Sequence, residues 1–284
     1  MGPRASCLAM ARRTRGADGA GRQAAPALAA ACLILSLGAP AAAQDEVQPL
    51  GEPLEVEDAI ASRPGELELQ GTAVYDRRRR GDPGRDGWPA ELQAQLGLPR
   101  GLELRIGVRE TFGNTEEARQ GGAVRLAAFW QLTEERPGRM PALGVLAGID
   151  PPFGPGGRGM ETRVIGALSW RFAGPSEWRS PFRVHLNIGW LGRIDPAPDE
   201  RPDRYRLAIG ATQNFGPDTV LLAVLRHEQQ DYGESDLTLL LAGLRQRIGH
   251  GTTIGLVGGM GFGPDSPAWR VAIGIEHQFT LGAR

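Results

Sequence analysis

About twelve segments of this chain alternate apolar and polar residues with a period of two, and that pattern limits the fold more than any other feature. Leu67, Leu69, Gly71, Ala73 and Tyr75 alternate with Glu66, Glu68, Gln70 and Thr72. Leu102, Leu104, Ile106 and Val108 alternate with Glu103, Arg105 and Arg109, and Trp269, Val271, Ile273 and Ile275 with Arg270 and Glu276. A strand points successive side chains to opposite faces, so each segment has one apolar and one polar side. The segments fall at 66–76, 88–98, 102–112, 122–132, 140–149, 160–172, 181–191, 204–215, 219–228, 236–247, 252–262 and 268–281. Each is roughly ten to twelve residues, the length a tilted membrane strand needs. Over half of the chain beyond residue 43 would then be strand, against about a quarter in soluble domains. The pattern predicts an all-β fold: a transmembrane antiparallel up-and-down β-barrel of about 12 strands over residues 66–284.

Aromatic placement separates this reading from a soluble sandwich or lipocalin-like barrel, which would bury its rings at strand centres. Tyr75, Trp88, Phe112, Trp130, Trp170, Phe172, Phe182, Trp190, Tyr205, Phe215, Phe262, Trp269 and Phe279 lie near strand ends on the apolar parity. Two interfacial belts of half-wet rings are expected of a membrane barrel. Phe129, Phe153, Trp178 and Tyr232 depart from the pattern. The connections alternate as well. Turn-like links at Pro99-Arg100-Gly101, Arg136-Pro137-Gly138, Gly216-Pro217-Asp218 and Gly249-His250-Gly251 are interleaved with longer polar ones, such as 77–87, 113–121 and 192–203.

Residues 1–43 read as a cleaved signal peptide. Arg4, Arg12, Arg13, Arg15 and Arg22 precede an apolar run from Ala27 to Leu37, followed by Ala41-Ala42-Ala43. That run is shorter than the roughly 20 residues that cross a bilayer as a helix. Residues 44–65 are acidic and read as a loose periplasmic lead-in, in which a short helix over 56–61 is allowed. Both cysteines, Cys7 and Cys32, fall in the leader, so the exported chain has no disulfide and no thiol chemistry. The expected location is the outer membrane of a Gram-negative bacterium.

The polar rows supply the candidate site. Arg105, Arg109, Arg125, Arg163, Arg183, Arg204, Arg206 and Arg270 face Glu103, Glu161 and Glu276 across the lumen. Two readings stand: cross-strand pairing that fills the lumen, and a charged constriction that selects solutes. The arginine excess leans weakly toward anions. A net charge of −1 gives no general attraction to nucleic acid, and no nucleic-acid partner is expected. Arg77-Arg78-Arg79-Arg80 with Arg85 reads as a solvated loop or as a contact for lipopolysaccharide phosphates. Ser169 and His185 fall on adjacent strands with inward parity, the one pairing that suggests a lipid-modifying hydrolase. His227, His250 and His277 form no ligand cluster in the sequence, and neither cofactor nor catalysis is expected.

The region from Pro64 to Leu281 resembles a family of outer-membrane transporters related to the MetA-type protein of the phenol meta-degradation pathway. The resemblance rests on Arg63-Pro64-Gly65-Glu66-Leu67-Glu68-Leu69, Gly101-Leu102-Glu103-Leu104-Arg105-Ile106-Gly107, Pro141-Ala142-Leu143-Gly144-Val145-Leu146 with Pro151-Pro152-Phe153-Gly154-Pro155, His185-Leu186-Asn187-Ile188-Gly189-Trp190 and the closing Arg270 to Phe279. It implies a transporter or narrow channel for small, hydrophobic or aromatic solutes. A non-conducting structural barrel whose loops bind lipid or protein is the alternative. The barrel assembly machinery is an expected partner, although Phe279 is followed by Thr280-Leu281-Gly282-Ala283-Arg284 instead of ending the chain.

Overall fold

A computed structural model describes residues 56–78, 86–114, 121–154, 159–172, 182–198, 200–231, 236–263 and 266–281. The leader, residues 44–55, Arg79, Arg80, Arg85, Trp178 and Tyr232 lie outside the described residues.

All twelve expected strands form, with no end displaced by more than two residues. They are β1 (Glu66–Arg77), β2 (Asp86–Leu98), β3 (Leu102–Gly113), β4 (Gly122–Thr133), β5 (Ala142–Asp150), β7 (Glu161–Arg171), β8 (Phe182–Arg193), β9 (Asp203–Asn214), β10 (Thr219–Gln229), β11 (Asp236–Arg247), β12 (Thr252–Phe262) and β13 (Trp269–Thr280). A two-residue segment, β6 (Pro152–Phe153), pairs with Ala123 and Gly122 of β4 and extends the wall beyond the short β5. Every neighbour is antiparallel, and β1 pairs with both β2 and β13. The seam runs from Leu67↔Phe279 through Gly71↔Ile275 to Tyr75↔Val271. The sheet therefore closes on itself and leaves no edge to template aggregation.

The outer face follows the apolar parity. Ile106 is 57% exposed, Leu104 51%, Ile188 63% and Ile273 52%, so the belt is apolar at its centre and not only at its margins. A continuous surface of this kind is a liability in water and is the normal face of a barrel in hydrocarbon. Tyr75, Trp88, Phe112, Trp190, Tyr205, Phe262 and Trp269 stand at the end away from the termini. Trp130, Trp170, Phe172, Phe182, Phe215 and Phe279 stand at the terminal end. Rings meet within each level: Tyr75 lies 4.3 Å from Trp88 and 5.0 Å from Trp269, and Trp170 lies 4.9 Å from Phe172.

Three expectations change. First, residues 56–62 are not a loose lead-in and contain no helix: they run as irregular chain with a bend at Ala59 inside the barrel, with Val56, Glu57, Asp58, Ala59, Ala61 and Ser62 all buried. Buried backbone groups need partners, and the amides of Glu57, Ala59, Ala61 and Ser62 find theirs on wall side chains. Second, the interior is not uniformly polar. Leu222, Val224, Leu237, Leu239, Leu241 and Val257 form a buried apolar sector on β10–β12, against which Val56 packs. Phe129, Leu146 and Ile165 form a second on β4, β5 and β7, covered by Ala59 and Ala61. Third, the link expected to be turn-like at Arg136-Pro137-Gly138 is longer, since β4 to β5 spans 134–141; the β7 to β8 link, around Trp178, is the longer one that the sequence indicates.

Candidate functional site

The inner segment Val56–Ser62 forms a strap across the lumen near the terminal end. It starts from Gly65 (φ 81°), whose amide donates to the Gly97 carbonyl at 2.9 Å. Ser62 donates from its amide (2.8 Å) and its hydroxyl (2.6 Å) to Glu103. The Ala61 amide donates to Gln131 Oε1 at 3.0 Å, and the Ala59 amide to Ser169 Oγ at 3.0 Å. Glu57 exchanges two backbone bonds with Asn187, at 2.6 and 2.9 Å, while its carboxylate takes Arg105 Nη1 at 2.7 Å. The strap thus ties β3, β4, β7 and β8 together and reaches Gly210 on β9 through Val56. Arg105 also pairs with Glu103 at 2.6 Å and stands 5.4 Å from the centre of the Phe129 ring.

Ser169 and His185 do meet, with Oγ 2.9 Å from Nδ1. Their arrangement is wrong for a nucleophile. Ser169 Oγ donates to Asp58 Oδ1 at 2.6 Å, and the carboxylate lies 3.9 Å from His185 Nδ1, so the serine stands between acid and imidazole. A hydrolytic triad needs the imidazole in the middle and a hydroxyl open to substrate. Here Ser169 is 0% exposed and carries the strap. The remaining histidines lie elsewhere: His227 bonds Thr238 and His277 bonds Thr252 on the outer parity, and His250 sits in a turn. Among the described residues no three His, Cys, Asp or Glu side chains converge as metal ligands.

The inward charges separate into levels. At the terminal end Arg183 and Arg171 share Glu135, and Arg245, 1% exposed, pairs with Glu276. At the far end Arg204 pairs with Glu161 and with Asp231 (2.8 Å), which also receives Arg193 at 3.1 Å. Toward the same far end Arg163 bonds Asp150 at 2.5 Å, and Arg125 bonds both oxygens of Glu91 at 2.7 Å. Arg270 takes both oxygens of Asp76 at 2.6 and 2.7 Å, and Arg206 and Arg226 share Glu228. Arg109 differs: it points inward, is exposed, and makes no hydrogen bond or ion pair among the described residues. Arg109, Arg125, Arg206, Arg226 and Arg270 converge from β3, β4, β9, β10 and β13 on an internal cavity of about 80 Å³ with Thr72, Val74 and Glu91.

A second depression, of about 850 Å³, opens on the outer wall. Leu96, Leu104, Leu126 and Val164 flank it, and the small residues Ala127 and Gly148 thin the wall between it and Arg105 and Arg163.

Sequence reading identified Arg105, Arg109, Arg125, Arg163, Arg183, Arg204, Arg206, Arg270, Glu103, Glu161 and Glu276 as inward, and the structure places all of them there. It missed Glu57, Asp58, Asp76, Asp150, Arg226, Glu228 and Arg245. The Arg226 and Glu228 pair, two residues apart on one parity of β10, was the available signal for an inward row.

No family profile and no curated protein matches the chain. Among solved structures it is similar to an outer membrane channel from Pseudomonas putida F1, with a TM-score of 0.56 and 14% identity over 82% of this chain and 100% of that one. It is similar also to the KdgM porin, with a TM-score of 0.52 and 11% identity over 75% of this chain and 99% of that one. At these identities the likeness establishes the fold: this chain is a closed, twelve-stranded antiparallel β-barrel.

Proposed function

We propose that this protein is an outer-membrane channel for small solutes whose lumen is narrowed by its own N-terminal strap. The observation that carries the reading is Arg109, an exposed guanidinium that points into the barrel. An ion inside a sealed barrel would bear a heavy desolvation cost without a partner, so water must reach this level of the lumen. The resemblance in fold to a channel and a porin agrees with it. In this reading the leader directs export and is cleaved after Ala43, the termini face the periplasm, and the two aromatic levels mark the bilayer interfaces. The inward charges set selectivity, Arg77 and Arg78 lie where lipopolysaccharide phosphates would be reached, and the barrel assembly machinery inserts the chain.

A second reading concerns the solute. The buried apolar sector around Leu239 and Val257, together with the thinned wall beside Ala127 and Gly148, favours hydrophobic solutes that leave sideways into the membrane. Planar-bilayer recording on the purified protein tests the channel. Small, discrete conductance steps are expected, and removal of residues 44–62 should enlarge them. Silence from both proteins, each shown to be a folded heat-modifiable barrel, would reject the channel in favour of a structural barrel.

A further inference from the structure

The cavity between the arginines has a composition that lumen filling does not explain. Five guanidiniums surround about 80 Å³ of space, and three carboxylates, Glu91, Asp76 and Glu228, answer them. Asp150 reaches Arg125 at 3.4 Å but also serves Arg163. Of the five, Arg109 is the guanidinium that makes no hydrogen bond or ion pair among the described residues. An exposed guanidinium of this kind is well placed to take an anion.

We propose that this cavity is a binding site for the carboxylate group of a small organic acid in transit, with Arg109 as its principal donor. The chemistry of the cluster favours a carboxylate. Arg270 already grips Asp76 as a fork, Nε on one oxygen and Nη2 on the other, and Arg125 Nη1 reaches both oxygens of Glu91, so guanidiniums at this level do hold planar two-oxygen groups. The volume agrees: about 80 Å³ is more than a single water needs and suits a carboxylate with a short body. Val74, which packs against the apolar sector, offers that body an apolar contact, and the Thr72 hydroxyl lies on the same wall. Arg109 makes no hydrogen bond or ion pair among the described residues, and its guanidinium is exposed. It is free to take an incoming oxygen and release it. The site rests on the channel reading only in that the acid passes on through the lumen; binding at the site does not need conduction.

The test is titration calorimetry of the detergent-solubilised barrel with propionate as probe, alongside bilayer recording. Propionate is expected to bind saturably, propionamide not to bind, and Arg109→Gln to weaken propionate about tenfold, the usual effect of losing one charge-assisted bond. Arg109→Lys should recover part of the loss, because it restores charge without the fork. Heat-modifiable mobility of each variant confirms a folded barrel. Equal affinity for propionate in wild type and Arg109→Gln would overturn the proposal, as would equal heats from chloride and propionate. Conductance without propionate binding would reject the site and leave the channel. Propionate binding without conductance would reject the channel and leave the site.

Discussion

Gly97 lies on the inner parity of β2, directly beneath the strap. A Cβ there would stand 2.1 Å from the Arg63 carbonyl oxygen and 2.6 Å from that of Ser62, so no side chain fits while the strap is docked. Gly97→Ala should lift the start of the strap at a cost of about 1–3 kcal/mol. The barrel should still form, the strap should become cleavable by protease, and conductance should rise. An unchanged protease pattern would count against the docked strap. Gly144 has the same role under Phe129, whose ring carbon would lie 2.3 Å from an added Cβ. Phe129 looked anomalous in sequence because it broke the aromatic pattern, and the structure gives the reason: it faces inward, 0% exposed, on a floor made by that glycine. Glu57 presents the opposite case, a buried charge that must be answered. Glu57→Ala leaves Arg105 with Glu103 as its remaining ion-pair partner and should cost about 3–5 kcal/mol, seen as a lower denaturant midpoint. Replacing Glu57 and Arg105 together by apolar residues should cost much less than that single change.

The strands and the strap differ in how legible they were. β1, β3 and β13 could be read directly, because an apolar row facing lipid alternates with a charged row facing the lumen. Pairing in register follows from that contrast, since a slip of one residue would turn every charge outward. On β10 and β11 the contrast fails: Val220-Leu221-Leu222-Ala223-Val224 and Leu239-Leu240-Leu241-Ala242 are apolar on both parities. The strands were found, but the apolar lumen sector they build was not. The strap was invisible for a different reason. Residues 56–62 have no period, and their stability comes from partners such as Asn187, 130 positions along the chain from Glu57. No local rule reports a bond of that separation. Asn187→Ala removes both backbone contacts of Glu57 and should loosen the strap without touching any strand pairing. Faster hydrogen exchange at residues 56–62, with the barrel amides unchanged, is the expected result; uniform exchange throughout would show that strap and wall are one unit.

At the scale of the whole molecule, the outer surface allows a test that no lumen variant provides. Ile106 sits at the middle of β3, 57% exposed on the apolar belt. Ile106→Arg should destabilise the barrel in lipid by about 2–4 kcal/mol, because the charge would sit near the bilayer midplane. The same change on a soluble β-protein, where that side chain would meet water, should cost almost nothing. Folding measurements in lipid vesicles distinguish the two. A negligible effect would mean that the belt does not lie in hydrocarbon. The strap carries one more consequence, which concerns the order of construction. It runs directly into β1, and β1 is half of the seam with β13. Once that seam is closed, the strap could reach its bonds only by threading through a lumen already crowded with the Arg245–Glu276 and Arg183–Glu135 pairs. The strap is therefore expected to fold inward while β1 still waits for β13, so this cylinder is wrapped around its contents and not filled after it is sealed.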